Sequence, residues 1–272
     1  MLMRIGKALR LKRIFAADGK SFIVAMDHGA IIGPQGNLAH PKEIVERVVA
    51  GKPDAILTTK GMLKHAHAAL DPDVAVILRI SGGFTMLGDP SDFQDRVISS
   101  VEQAIKYGAD GVAITVKYGH PNEGEFIERA SFVADSCSDW GIPLMIEVWP
   151  AGPNVKKPYE LEAVRLGARA AAEIGADIIK TYYTGSKDGF AQVTDGCPIP
   201  VVILGGEKKG STRDLFSMIE DSLAAGGAGV AMGRNVWGYE KPELMVQAIR
   251  GLIHEGWSVD KALDFLNKRE ER

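Results

Sequence analysis

Three ionisable side chains close apolar runs in this chain: Lys180 in "ADIIKTYYTG", Asp27 in "AMDHG" and Glu147 in "PLMIEVWP". Each run has the pattern of a strand buried on both faces, where an ammonium or carboxylate loses its hydration unless something compensates. For Lys180 one compensation is structural, a long stem that carries the charge to the strand end and a carboxylate partner. The other is chemical: in a water-poor pocket near other cations, an unprotonated amine attacks a carbonyl. Asp27 either caps the turn after its strand or, opposite such a lysine, holds a carbinolamine hydroxyl and shuttles its proton. Glu147 either forms a buried salt bridge with Arg79 or Lys117, or is a general acid with its pKa raised to about 6 to 7.

These residues need strands that converge. Eight apolar, strand-like runs alternate with amphipathic segments such as "PKEIVERVVAG", "DFQDRVISSVEQAIKYG", "GEFIERASFVADSCSDWG", "ELEAVRLGARAAAEIG" and "TRDLFSMIEDSLAAGG". Gly108, Gly175 and Gly227 each follow a helical run and precede a strand, as left-handed helix caps should. The pattern predicts an α/β fold, a (β/α)8 TIM barrel spanning residues 1–272 as a single domain. A doubly wound sheet would more often carry GxGxxG after its first strand, and "AMDHGA" lacks it.

In such a barrel the C-terminal strand ends share one mouth. Strand alternation puts Arg79 on a face with Ser81, Glu147 with Trp149, and Lys180 with Tyr182. His28, next to Asp27, points the other way and reads as a packing or hydrogen-bonding residue. The runs for strands seven and eight end in "LGGEKKG" and "AMGRN", where barrels of this kind recurrently bind phosphate. Gly205, Gly206 and Gly233 let backbone N–H groups approach an anion, and Arg234 or Lys208 adds charge; ordinary turns are the other reading of the same glycines. His65 and His67, two apart in a helical stretch, do not share a face, so neither a catalytic metal nor a cofactor is expected.

Composition sets the surroundings. The 272 residues are 46% hydrophobic and 25% charged with net charge -3, an ordinary globular balance without the basic surplus of a nucleic-acid binder. Two cysteines, Cys137 and Cys197, make no disulfide framework or zinc spacing. No apolar run reaches the roughly 18 residues of a membrane span, and a cytoplasmic protein with no membrane partner is expected.

In order along the chain, "GKALRLKRIF", "AMDHG", "ISGG", "IIKTYYTG", "GGEKK" and "GVAMGRN" resemble the archaeal-type class I fructose-bisphosphate aldolases. Aminodideoxyheptulosonate synthases and a thiolase that degrades a phosphorylated autoinducer are similar to the same segments. The resemblance implies a Schiff base at Lys180, an active-site acid at Asp27 and phosphate held by Gly205, Gly206, Gly233 and Arg234. It also implies a phosphorylated sugar or ketose as substrate, and a homo-oligomer, commonly a decamer of two rings.

The resemblance departs at strand five. The aldolases and heptulosonate synthases carry "YPRG", whose tyrosine donates a proton; here the text is "VWPAG", with Trp149 in that place and Ala151 where the arginine stands. An indole N–H is not a usable acid near neutral pH. Glu147 is then the candidate acid, while Arg79 and Lys117 attract the anionic substrate and favour the unprotonated amine by repulsion. The expected activity is Schiff-base cleavage or formation of a carbon–carbon bond in a phosphorylated ketose. Acyl transfer to coenzyme A, as in the thiolase, is the alternative, and a noncatalytic phosphosugar-binding barrel is a third reading.

Overall fold

The computed structural model describes residues 2–89, 94–206 and 210–270. Eight parallel strands close into a barrel in the ring order β1-β8-β7-β6-β5-β4-β3-β2. They are β1 (Ser21–Ala25), β2 (Ala55–Thr58), β3 (Ala75–Arg79), β4 (Gly111–Val116), β5 (Leu144–Val148), β6 (Ile178–Thr181), β7 (Val201–Leu204) and β8 (Gly229–Met232). Helices between the strands bury their apolar stripes on the outside of the barrel, and the expected (β/α)8 architecture is what forms.

Two apolar shells result from strand alternation. Outward residues such as Phe22, Val112 and Ile146 pack under the helices, while Ile23, Ile77, Met145 and Ile178 fill the barrel itself. Helix Leu2–Ile14 stops the bottom: Ile14 is fully buried in the inner cluster, and its carbonyl accepts from the Ser21 hydroxyl at 2.6 Å. Moving two residues up each strand from this apolar floor reaches Arg79 from Ile77, Thr115 from Ala113, Glu147 from Met145 and Lys180 from Ile178. The same period of two that buries the floor therefore aims polar side chains into the mouth. Register aligns them, since Thr115 pairs with Glu147 and Glu147 with Lys180 across three neighbouring strands.

Four of the five helical segments form as helices Pro41–Ala50, Glu123–Trp140, Leu161–Glu173 and Thr212–Ala224. The fifth, "DFQDRVISSVEQAIKYG", is among its described residues helical only over Val101–Lys106, because Ser100 caps the chain there by accepting from Gln103 N at 3.2 Å. Upstream, Arg96–Val97 pairs antiparallel with Ser81–Gly82 beside the mouth. Gly108 and Gly175 take positive φ as expected, but after Thr212–Ala224 it is Gly226 (φ +88°), not Gly227, that does so. Among the described residues no helix is long and apolar enough to cross a membrane.

Candidate active site

Arg79 is the centre of a buried charge cluster at the C-terminal mouth. Its Nε donates to Asp27 Oδ2 at 2.9 Å, one terminal nitrogen to Thr115 Oγ1 at 2.8 Å and the other to Glu147 Oε2 at 2.5 Å. Thr115 donates a hydrogen bond from its own hydroxyl to Glu147 Oε2 at 3.2 Å. The remaining Glu147 oxygen, Oε1, lies 2.7 Å from Lys180 Nζ. Asp27, Glu147 and Lys180 are all under 10% exposed, so these contacts act with little water to screen them.

The electrostatics follow from that wiring. Burial alone would raise both carboxyls, yet opposing charges win. Arg79, the nearby His28 ring and the Lys180 charge hold Asp27 well below the ordinary carboxylate range. Lys180 and Arg79 bring Glu147 down to about 2. Glu147 is therefore ionised at neutral pH, which corrects the expectation of a carboxyl raised to about 6 to 7: the cations that flank it are in contact, and contact outweighs desolvation. Arg79, expected as a substrate-binding cation, lines the cleft and gives one N–H from each guanidinium nitrogen to the protein.

Around this cluster opens a cleft of about 1340 Å³ lined by Trp149, Tyr182, Lys117, His120 and the ends of β7 and β8. Trp149 is half-exposed and meets Tyr182 edge-on, ring centres 6.0 Å apart. Lys117 sits 4.8 Å over the Phe84 ring, and burial lowers its pKa, with Asp95 opposing. His28 also faces the cleft, its Nδ1 3.4 Å from Asp27 Oδ1 and its ring edge-on to Trp237. Strand alternation fails for His28 because β1 has ended at Ala25 and the chain is already turning.

At the opposite wall stand the glycines. A Cβ on Gly233 would meet the Ala25 carbonyl at 2.6 Å and the His28 ring at 2.7 Å; one on Gly205 would meet Asn235 Nδ2 at 2.6 Å. Asn235 in turn donates to the Gly205 carbonyl at 2.9 Å, tying the ends of β7 and β8 together. Gly206 takes φ +61°, and Arg234 faces the cleft with its Nε buried and, among the described residues, without a hydrogen-bond partner. An unpartnered guanidinium nitrogen beside crowded glycines suits an anion in the cleft. Lys208, the other expected cation, lies outside the described residues. Among the described residues no cluster of three or more metal-ligating side chains forms.

Sequence reasoning missed two groups. Thr115 sits two residues before Lys117 on one strand face, a spacing that could have flagged it. Asp95 is buried in the cleft wall and belongs to the stretch that reads as helix, so nothing in the text announced it.

Residues 21–238 match the DeoC/LacD family aldolase profile. The chain is 36% identical over 265 residues to 2-amino-3,7-dideoxy-D-threo-hept-6-ulosonate synthase 1 of Archaeoglobus fulgidus, covering 97% of each. Among solved structures, a Schiff base forming fructose-1,6-bisphosphate aldolase is 30% identical with a TM-score of 0.84, over 91% of this chain and all of that one. An archaeal fructose-1,6-bisphosphate aldolase whose catalytic Lys is covalently bound to the carbinolamine intermediate is 29% identical, TM-score 0.83, over 91% of this chain and 99% of that one.

Proposed function

The chain belongs to the DeoC/LacD aldolase family, and from that premise we propose that it is a class I aldolase, forming a Schiff base at Lys180 to make or break a carbon–carbon bond in a phosphorylated ketose. The observation that carries this reading is the Lys180–Glu147 contact of 2.7 Å, an amine and a proton acceptor buried together at the floor of a sugar-sized cleft. Glu147 takes a proton from the Lys180 ammonium, the free amine adds to the ketone carbon, and the nitrogen proton passes to the carbonyl oxygen. Glu147 then returns its proton to the carbinolamine hydroxyl, which leaves as water and gives the iminium. Charge balances, since an ammonium and a ketone become an iminium and water. Arg79 makes the shuttle geometrically exact enough to work by fixing Glu147 Oε2 and Asp27. Asp27, ionised and rigid, accepts a hydrogen bond from a substrate hydroxyl.

Arg234 with Gly205, Gly206 and Gly233 supports phosphate at the β7–β8 wall, and Lys117 supports attraction of the anionic substrate across the cleft. The similar proteins support both directions, one being described as a synthase and others as fructose-bisphosphate aldolases. The proposal includes a cytoplasmic homo-oligomer; exposed Phe132, Trp140 and Leu166 support assembly of copies.

Trp149 favours a second reading. With an indole where similar aldolases carry a tyrosine, the iminium can instead serve acyl transfer from a phosphorylated dione to coenzyme A. Purified protein given a panel of phosphorylated ketoses and diones, with and without coenzyme A, separates the two. Aldehyde release without coenzyme A supports the aldolase; acyl-coenzyme A formation supports the thiolase; binding of phosphosugars without turnover of any member would replace both with a noncatalytic role.

A further inference from the structure

Carbon–carbon cleavage needs a group that accepts a hydroxyl proton and then gives one to the enamine carbon. The residues at the Lys180 end of the cleft are badly suited to it. Trp149 offers no acidic proton near neutral pH, and Asp27 and Glu147 each sit against Arg79 as carboxylates. A third buried carboxyl lines the same cleft. Asp95 accepts from the Ser81 hydroxyl at 3.2 Å, and among the described residues no ion pair joins it. Ser81 is itself fixed by Thr115 N at 3.0 Å, and Thr115 is the residue that links Arg79 to Glu147.

We propose that Asp95 is the catalytic acid–base of the carbon–carbon step: its carboxylate takes the proton of the hydroxyl next to the scissile bond, and the resulting carboxylic acid delivers it to the enamine carbon. This rests on the Schiff-base reading above. The O–H bond breaks toward Asp95 as the departing fragment becomes an aldehyde. The electrons of the carbon–carbon bond pass to the iminium nitrogen, leaving a neutral enamine. Transfer of the Asp95 proton to carbon restores the iminium, which water hydrolyses, and Asp95 ends as the carboxylate that began the cycle.

The surroundings suit that cycle. Burial raises Asp95 above the ordinary carboxylate value, and the nearby Glu147 charge adds to this, while Arg79, Lys117 and the Ser81 hydrogen bond oppose it. From helix Glu123–Trp140, Arg129 faces the same segment but donates to the Asp95 main-chain carbonyl at 2.9 Å. Glu147 and Asp95 are thus tuned in opposite directions within one cleft, Glu147 resting as the carboxylate that exchanges a proton with Lys180 and its adduct, and Asp95 holding a proton more readily than an ordinary carboxyl.

The test separates attachment from proton transfer. Wild type and Asp95→Asn are incubated with dihydroxyacetone phosphate in deuterium oxide; borohydride-trapped adduct is read by intact mass, and exchange of the carbon-bound proton by NMR. Asn keeps an acceptor for Ser81, so the expected result is undiminished trapping with exchange slowed about 10²-fold or more, the usual worth of a general acid. Ser81→Ala, which removes one interaction that lowers Asp95, should move the matching limb of the wild-type pH–exchange profile to higher pH. Exchange at the wild-type rate in Asp95→Asn overturns the assignment. So does loss of trapping together with exchange, which would make Asp95 structural, an unmoved limb in Ser81→Ala, or loss of exchange in Tyr182→Phe with none in Asp95→Asn. Absence of any wild-type adduct would instead remove the Schiff-base reading beneath it.

Discussion

Replacing Arg79 with methionine should unsettle the site in a way that depends on pH. Methionine fills the volume of the Arg79 stem but removes the charge that Asp27 and Glu147 share at 2.9 and 2.5 Å. Removing one partner of a buried pair costs about 3 to 5 kcal/mol; Lys180 still touches Glu147 and His28 still faces Asp27, so the lower figure, about 3 kcal/mol, applies. For a chain of this size that is a fall in Tm of roughly 6–12 °C. The wild-type sign is set by depressed carboxyls: Asp27 and Glu147 contribute stability above their unfolded values near 4, and lose it as pH falls toward about 2 for Glu147. In Arg79→Met, Asp27 loses the largest charge opposing its burial, while Glu147 keeps Lys180, its own largest. The folded value of Asp27 then rises, and the penalty at pH 7 shrinks as acid protonates it. Urea unfolding at pH 7 and pH 5, followed by tryptophan fluorescence, measures this directly. The deficit should be about 3 kcal/mol at pH 7 and smaller at pH 5. A deficit under about 1 kcal/mol, or one equal at both pH values, would refute the keystone role of Arg79.

Arg234→Ala should raise KM for phosphorylated ketoses about tenfold or more while leaving reaction of Lys180 with small neutral carbonyls intact; equal loss on both would make Arg234 structural. Trp149→Tyr should increase aldol cleavage relative to acyl transfer, and, added to Asp95→Asn, should recover part of the lost exchange, which unchanged product ratios would contradict. Far from the mouth, His254 is held by Asp18 and Asp54, each at 2.9 Å. Burial lowers its pKa but those two carboxylates outweigh it, so the net shift is upward. Its contribution, about 2 kcal/mol, should be complete below pH 6.5, fade as pH rises through the folded value, and vanish in His254→Gln; a variant whose stability keeps the wild-type pH dependence would exclude it.

Most of the fold was legible because the barrel rests on a local signal, apolar runs bounded by amphipathic helices. The side chains that face the mouth were legible for the same reason, since a period of two carries Ile178 to Lys180 and Met145 to Glu147 without knowledge of any contact. What the text could not convey was distance across strands. The protonation of Glu147 depends on whether Lys180 and Arg79 touch it, and that is decided by barrel register and the reach of Arg79 from β3. Asp95 was hidden by a different effect: "DFQDRVISSVEQAIKYG" has helical spacing, yet Ser100 starts the helix late and the preceding residues turn back against Ser81–Gly82. His28 was placed on the wrong face because alternation was carried past the end of its strand.

The central claim is that Lys180 becomes covalently attached to a ketone, and borohydride reduction with a phosphorylated ketose followed by peptide mapping tests it most directly. The account predicts one irreversible adduct of the mass of the reduced ketose less water, on the peptide containing Lys180, absent from a folded Lys180→Met protein that has also lost turnover. An adduct on a different lysine, or turnover that proceeds without any adduct and survives Lys180→Met, would contradict it.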